Sequence, residues 1–350
     1  MVPALAVADA LRDSGAEVSF LGTAERAEAE LVPAAGYEID FLRVRGLDRR
    51  NPLRAGAALA LAARAVPAAR AALRRRDAQV VLGSGGYVAA PAGLAALALR
   101  LPLVLTEADR HLGLANRLLA RRARRVCLAF PVAGLEGERY LVTGRPVPAA
   151  IVTADRGAAR ERFGLERGQR CLLVFGGSQG ARTINTAALD GLLTPERAFA
   201  FHVLHISGSR DYEYASRRLA AAGHGAEQYT LLEYEPGLAD ALAASDLVLA
   251  RAGASVFELA AAGRPAILVP YPFATGRHQH ANAEWMAGAG AATVIEDAEL
   301  TGEVIWGRAR ELLGDDERLA AMSTASASLA MPEAAERVAA EVLATIRRSR

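Results

Sequence analysis

The chain has 350 residues, 52% of them apolar, and 41 basic against 39 acidic side chains leave a formal net charge of +2. That length supports buried cores for roughly two domains, and the apolar share excludes a disordered chain. Cys127 and Cys171, the only cysteines, each sit inside an apolar run, as core residues of a reducing compartment do, rather than as a disulfide or metal pair.

Charge is unevenly spread. Residues 1–150 hold 21 Arg against 14 acids, whereas the remainder holds 20 against 25. Between Arg43 and Arg76 ten arginines face one acid, Asp48, interleaved with Leu and Ala. Such a segment suits either an anionic lipid surface or a solvated helix face. Nucleic acid is not expected as a partner, because aromatics for stacking are scarce and no recognition motif is present. No apolar run approaches the roughly 20 residues that span a bilayer; the Ala-rich stretch 54–76 is interrupted by Arg64, Pro67 and Arg70. Neither a transmembrane helix nor a signal peptide is expected, which points to a cytoplasmic location.

In chain order, short apolar runs predict strands at 17–22 (EVSFLG), 78–83 (AQVVLG), 101–107 (LPLVLTE), 125–130 (RVCLAF), 170–177 (RCLLVFGG), 200–208 (AFHVLHISG), 246–251 (DLVLAR) and 265–272 (PAILVPYP), alternating with longer helical stretches. Strand and helix in alternation predict an α/β class with parallel sheets wound by crossover helices. The Gly- and Pro-containing connection VTGRPVPAAIV (142–152) divides the strands into two groups, giving domains 1–147 and 148–350. A faint repeat links them, since 80–107 and 247–272 both run strand, small-residue turn, Ala-rich helix, strand. Two Rossmann-like domains facing a cleft follow, with ligands expected outside the carboxyl ends of the strands.

Three stretches carry candidate chemistry. In CLLVFGGSQGARTIN (171–185) a buried strand runs into Gly176-Gly177-Ser178-Gln179-Gly180 and then a helix. Glycines let backbone amides approach a ligand, and a helix start adds unpaired N–H groups, so the turn suits a phosphate. An ordinary tight turn reads the same way. Neither the dinucleotide fingerprint nor a P-loop is present, the latter because the chain has no Lys. In LARAGASVFELAAAGRPAILVPYP (249–272) Glu258 is the sole acid, and Ser255-Val256-Phe257-Glu258 fits a capping box. The rival is an acid at the first helical turn holding sugar hydroxyls, and local sequence leaves both open. In FATGRHQHANAEW (273–285) His278 and His280 diverge on a helix, which speaks against a metal pair, whereas Gln279 and Asn282 both donate and accept as sugar hydroxyls require.

Taken together, the blocks PALAVADALRDSGAEVSFLGT, LGSGGYVAAPAGLAA, VTGRPV, VFGGSQGARTIN, ARAGASVFELAAAGRPAILVPYP and HQHANAEWM resemble the MurG family of glycosyltransferases, in the family's order and over nearly the whole chain. The resemblance implies the two-domain glycosyltransferase GT-B fold. Residues 1–147 would form the acceptor and membrane side, and 148–350 the UDP-GlcNAc domain, with the last helix packing back on the first. It implies inverting transfer of N-acetylglucosamine from UDP-GlcNAc to the 4-hydroxyl of undecaprenyl-diphosphate-MurNAc-pentapeptide, a peptidoglycan-synthesis step at the cytoplasmic side of the membrane, with no metal and no cofactor. A related UDP-sugar transferase or epimerase with another acceptor is the alternative, as is a UDP-sugar-binding protein without turnover. By carry-over, Ser178 would meet a donor phosphate, with Gly177 and Gln179 beside it among the substrate-binding residues. Glu258 would hold the ribose beside Ala254, Ser255, Val256 and Phe257. Gln279 would hold the GlcNAc hydroxyls with Asn282 in support, and the uracil would lie near Tyr234 and Glu235. The catalytic base is not identified.

Some positions depart from the family. Members open with a strand, a Gly-rich turn and a histidine ahead of the segment matching VPALAVADAL; Met1 stands at that junction, so the protein's start is expected upstream and a neighbouring strand edge is expected to be bare. Where members have His-Glu-Gln-Asn, this chain has Thr106-Glu107-Ala108-Asp109, which assigns the Asn contact to Asp109. Pro148 stands where an Arg follows the TGRPV block, with Arg145 the nearby cation, and the Glu258 loop is one residue shorter.

Overall fold

The computed structural model describes residues 1–46, 51–109, 111–177, 180–193, 201–222, 228–236 and 238–347. The chain divides into two compact units, one made of Met1–Pro148 and Met331–Arg350, the other of Ala149–Ala330. Every strand pairing in both is parallel, as the alternation of short apolar runs and helices predicts.

The first unit runs α1 (Val2–Asp13), β1 (Ser19–Gly22), α2 (Glu28–Ala34), β2 (Glu38–Phe41), α3 (Pro52–Arg75), β3 (Val81–Gly83), α4 (Gly86–Ala98), β4 (Leu103–Glu107), α5 (Leu114–Leu119), β5 (Arg125–Leu128) and β6 (Tyr140–Val142). Its strands form a pair, β1-β2, and a separate four-stranded sheet ordered β3-β4-β5-β6, so β3 is an edge strand. On one side Ala65, Ala69 and Leu73 of α3 pack with Ala95 and Ala96 of α4 and with Leu103 and Leu105 of β4. By length and composition alone, Ala55–Arg75 of α3 is long and apolar enough to span a bilayer, although Arg64 and Arg70 interrupt it. Alanine keeps its mean hydropathy high despite the arginines, and its small-residue face lies against α4.

The second unit runs α6 (Ala149–Thr153), α7 (Arg156–Arg162), β7 (Arg170–Phe175), α8 (Arg182–Leu192), β8 (Phe201–Ile206), α9 (Tyr212–Ala222), β9 (Tyr229–Leu232), α10 (Leu238–Ala244), β10 (Leu247–Ala250), α11 (Val256–Ala261), β11 (Ala266–Leu268), α12 (His278–Gly288), β12 (Ala292–Val294), α13 (Gly302–Leu313) and α14 (Asp316–Ser328). One six-stranded sheet is ordered β12-β11-β10-β7-β8-β9. The central strands read as continuous apolar runs because both faces are covered: Leu172, Leu173, Val174, Val248 and Leu249 are fully buried. The chain then returns to the first unit through α15 (Ala334–Arg347), whose Ala335, Val338, Ala339 and Val342 pack with Ala6, Val7 and Leu11 of α1 and with Val104 and Cys127. Both cysteines are buried, and burial pushes their thiols up to about 12, so they are unreactive core residues.

Candidate active site

Strand order in the second unit reverses between β7 and β10, which pair with Phe175 opposite Ala250. At such a switch point the loops leaving two adjacent strands turn to opposite faces and open a crevice at the carboxyl edge. Two of the predicted stretches meet there: the glycine turn following β7 and the small-residue turn following β10.

Gly177 and Gly180 have φ of +96° and +80°, in the left-handed region where a side chain is strained. Gly180 also lies so close to β8 that a Cβ would sit 2.2 Å from the Ser207 carbonyl oxygen. The turn closes through Gly180 N donating to Gly177 O at 2.9 Å and leads into α8, whose N-cap, Ala181, makes no side-chain hydrogen bond. The 11-residue helix therefore begins with no side-chain cap from its own N-cap residue, at an end that carries the positive pole of the helix dipole. Ser178, assigned to a phosphate by resemblance, and Gln179, named with it as substrate-binding, lie outside the described residues.

After β10, the capping box expected of Ser255 and Glu258 is not formed on the serine side. Ser255 already has helical angles (φ −61°, ψ −16°) and makes no cap; its hydroxyl reaches Arg251 O at 3.5 Å instead. Ala254 is exposed, Ser255 and Glu258 are half-buried, and Val256 and Phe257 point into the core, Phe257 against the Trp285 ring at 5.3 Å. Only the backbone of Val256 and Phe257 is thus placed to meet a ligand.

Helix α12 closes this corner. Asn282 is buried and donates to Ala252 O at 3.1 Å and Gly253 O at 3.3 Å. One turn earlier, Gln279 accepts from Tyr271 N at 2.9 Å, and its Nε2 lies 3.8 Å from where a Gly253 Cβ would be. Gln279, Asn282 and the turn bearing Glu258 are therefore one assembly, with the Gln279 amide nitrogen toward Gly253. Its foundation is Arg251, which the sequence reading passed over. Arg251 is buried, donates to Val269 O and Thr183 Oγ1 at 3.2 and 2.6 Å, and pairs with Asp297, so it ties α8, β10, β11 and the turn after β12 together. Its signal in the sequence was a lone Arg ending an apolar run.

Glu235 is buried, and its carboxylate pairs with Arg162 at 2.8 Å, with Arg162 also holding Asp240 at 2.6 Å. The carboxylate is committed, and what the loop offers a ligand is backbone, beside an exposed Tyr234. Asp109 belongs to the first unit and is exposed there. Its loop is shaped by buried Glu107, which accepts from Ala108 N, Asp109 N, Gly113 N and Asn116 Nδ2 at 3.0, 3.3, 2.7 and 2.9 Å.

Residues 1–128 match the glycosyltransferase family 28 N-terminal domain, and residues 171–338 match the family's C-terminal domain. Among curated proteins, the UDP-N-acetylglucosamine--N-acetylmuramyl-(pentapeptide) pyrophosphoryl-undecaprenol N-acetylglucosamine transferase of Moorella thermoacetica is 41% identical, covering 98% of this chain and 95% of that one. The protein of the same name from Halorhodospira halophila is 42% identical, covering 96% and 92%. The crystal structure of Acinetobacter baumannii MurG superposes with a TM-score of 0.76 at 28% identity, covering 98% of this chain and 95% of that one. A Neisseria meningitidis UDP-GlcNAc 2-epimerase (TM-score 0.68, 14% identical) shares the fold alone. Parallel α/β units of GT-B type, matched end to end by relatives at about 40% identity, establish that the chain belongs to the MurG family of glycosyltransferases.

Proposed function

We propose that the chain transfers N-acetylglucosamine from UDP-GlcNAc to the 4-hydroxyl of undecaprenyl-diphosphate-MurNAc-pentapeptide, with inversion, at the cytoplasmic face of the membrane. The observation that carries this is the β7/β10 junction, where a left-handed glycine turn and a helix start stand beside the Glu258, Gln279 and Asn282 corner. Curated relatives named for this transfer share about 40% of its residues. In this reading the amides and positive dipole end at the start of α8 take up the charge that builds on the departing diphosphate. Glu258 holds the ribose hydroxyls, and the loop at Tyr234 and Glu235 receives the uracil through its backbone. A general base deprotonates the acceptor hydroxyl so that it attacks the anomeric carbon from the face opposite UDP.

Membrane docking is assigned to the first unit. α3 and α5 both pack on α4, and these helices expose Leu59, Leu94, Leu114 and Leu118 together with Arg64, Arg70 and Arg117. Apolar side chains among arginines fit the surface of an anionic leaflet.

The test is transfer of radiolabelled GlcNAc to the lipid-linked acceptor in anionic vesicles, in neutral vesicles, and to a free sugar. Transfer is expected only to the lipid-linked acceptor and faster in anionic vesicles. Glu258→Ala is expected to raise the KM for UDP-GlcNAc about tenfold, the worth of a lost charge-assisted hydrogen bond. Tight UDP-GlcNAc binding with no turnover would instead favour a binding protein.

A further inference from the structure

Behind the glycine turn lies a polar chain that the reaction itself does not use. His205 on β8 is fully buried, with Nδ1 2.6 Å from the Tyr229 hydroxyl on β9 and Nε2 3.0 Å from Asn185 Oδ1 on α8. Asn185 Nδ2 donates to Ser207 O at 2.8 Å and to Asp211 Oδ2 at 2.9 Å, and Asp211 Oδ1 pairs with Arg182 Nε, on the first residue of α8, at 3.0 Å.

The direction of every bond follows from the two ends. Asn185 must turn its NH2 toward a carbonyl and a carboxylate, neither of which can donate, so its oxygen faces His205 and requires an N–H there. His205 is therefore protonated on Nε2; full burial keeps the ring neutral, so its Nδ1 is bare and accepts from the Tyr229 hydroxyl. The chain runs one way from Tyr229 through His205 to Asn185 and ends on two acceptors, the Asp211 carboxylate, which also accepts from Arg182, and the Ser207 carbonyl. That carbonyl is the atom against which Gly180 is packed too closely for any side chain.

We infer that His205 and Tyr229 are positioning residues for the phosphate-binding turn, setting through Asn185 and Ser207 where the amides around Gly180 and the first turn of α8 point. The inference rests on the reading of that turn as the diphosphate site. Neither residue touches substrate; a neutral imidazole with a fixed tautomer serves as a directional strut, which no apolar side chain of the same volume can replace. Because the strut supports only the phosphate end, its loss is expected to weaken UDP binding selectively.

Tyr229→Phe keeps the ring and removes one donor; His205→Phe removes both contacts. UDP and uridine affinities are measured by calorimetric titration on the full chain, with thermal melts alongside and the KM for each substrate determined. UDP is expected to bind about tenfold more weakly to His205→Phe and a few-fold more weakly to Tyr229→Phe, with uridine affinity and acceptor KM changed less than about twofold. Equal weakening of UDP and uridine, or no weakening in a folded Tyr229→Phe protein, overturns the inference. If His205→Phe fails to fold, the Tyr229→Phe comparison alone decides. Absence of UDP binding by the unaltered chain would instead refute the diphosphate reading on which it stands.

Discussion

At the scale of single residues, burial decides what a polar group can do. His205 is held far below its ordinary value, to about 3, because a charged imidazole there would lose its water, and His202, bonded to Thr230 at 2.8 Å, is lowered for the same reason. As pH falls the unfolded chain takes up the His205 proton near its ordinary value of about 6.5, well before the native state does. The stabilising contribution of neutral His205 is thus complete above about 6.5 and is lost from there down toward about 3. Urea unfolding at pH 7, 6 and 5 should show stability falling below about pH 6.5, by up to about 1.4 kcal/mol per pH unit from this group. In His205→Phe that slope should shrink by the same amount; an unchanged slope would mean the imidazole is charged in the native state. The residues the sequence made legible are those with a local pattern, such as Gln279 and Asn282 beyond a strand. His205, Asp211 and Arg251 were not legible, because a lone polar residue beside an apolar run does not reveal a partner many positions away. Ser255 shows the reverse case: the pattern S-x-x-E was legible, but the chain reaches Ser255 already helical, and the cap cannot close.

Elements were legible in proportion to their burial. The strands read from continuous apolar runs include every central one, whereas β2, β6, β9 and β12, which the sequence reading missed, all lie at the ends of their sheets. An edge strand is covered on fewer sides and carries a mixed sequence: Glu38–Phe41 has no buried residue, and Ala292–Val294 has one. The helices of the second unit meet with equally specific demands. α8 and α13 cross where Gly191 faces Gly302, and a Cβ on Gly191 would lie 2.2 Å from the Gly302 carbonyl oxygen. Backbone cannot yield as a side-chain tip does. Gly191→Ala is expected to force the helices apart and cost about 1–3 kcal/mol, measured by chemical denaturation, despite the usual gain of alanine over glycine in a helix. Stabilisation by this substitution would show that the approach is looser than described.

Across the whole molecule, the first unit is assembled from both ends of the chain. Val338 is fully buried among Ala6, Val7, Leu11, Val104 and Cys127, and Arg125 reaches Glu341 of α15 at 2.9 Å. Val338→Asp places an unpaired carboxylate in that core and should destabilise the first unit by several kcal/mol. The second unit, which owns its own sheet and core, should be spared. Scanning calorimetry is expected to resolve an early transition that is absent from the unaltered chain, with UDP still protecting the later one. A single transition shifted as a whole would show that the two units unfold together.

The return of the last helix has a consequence for birth on the ribosome. Residues 149–330 are contiguous and can complete their sheet while the tail is still being made, but the segment that preceded them must wait with its α1 face bare. At about 5–20 residues per second, translating residues 331–350 adds roughly one to four seconds to that wait. A nascent chain in this interval presents half of a core to its surroundings, which is when a chaperone would find it.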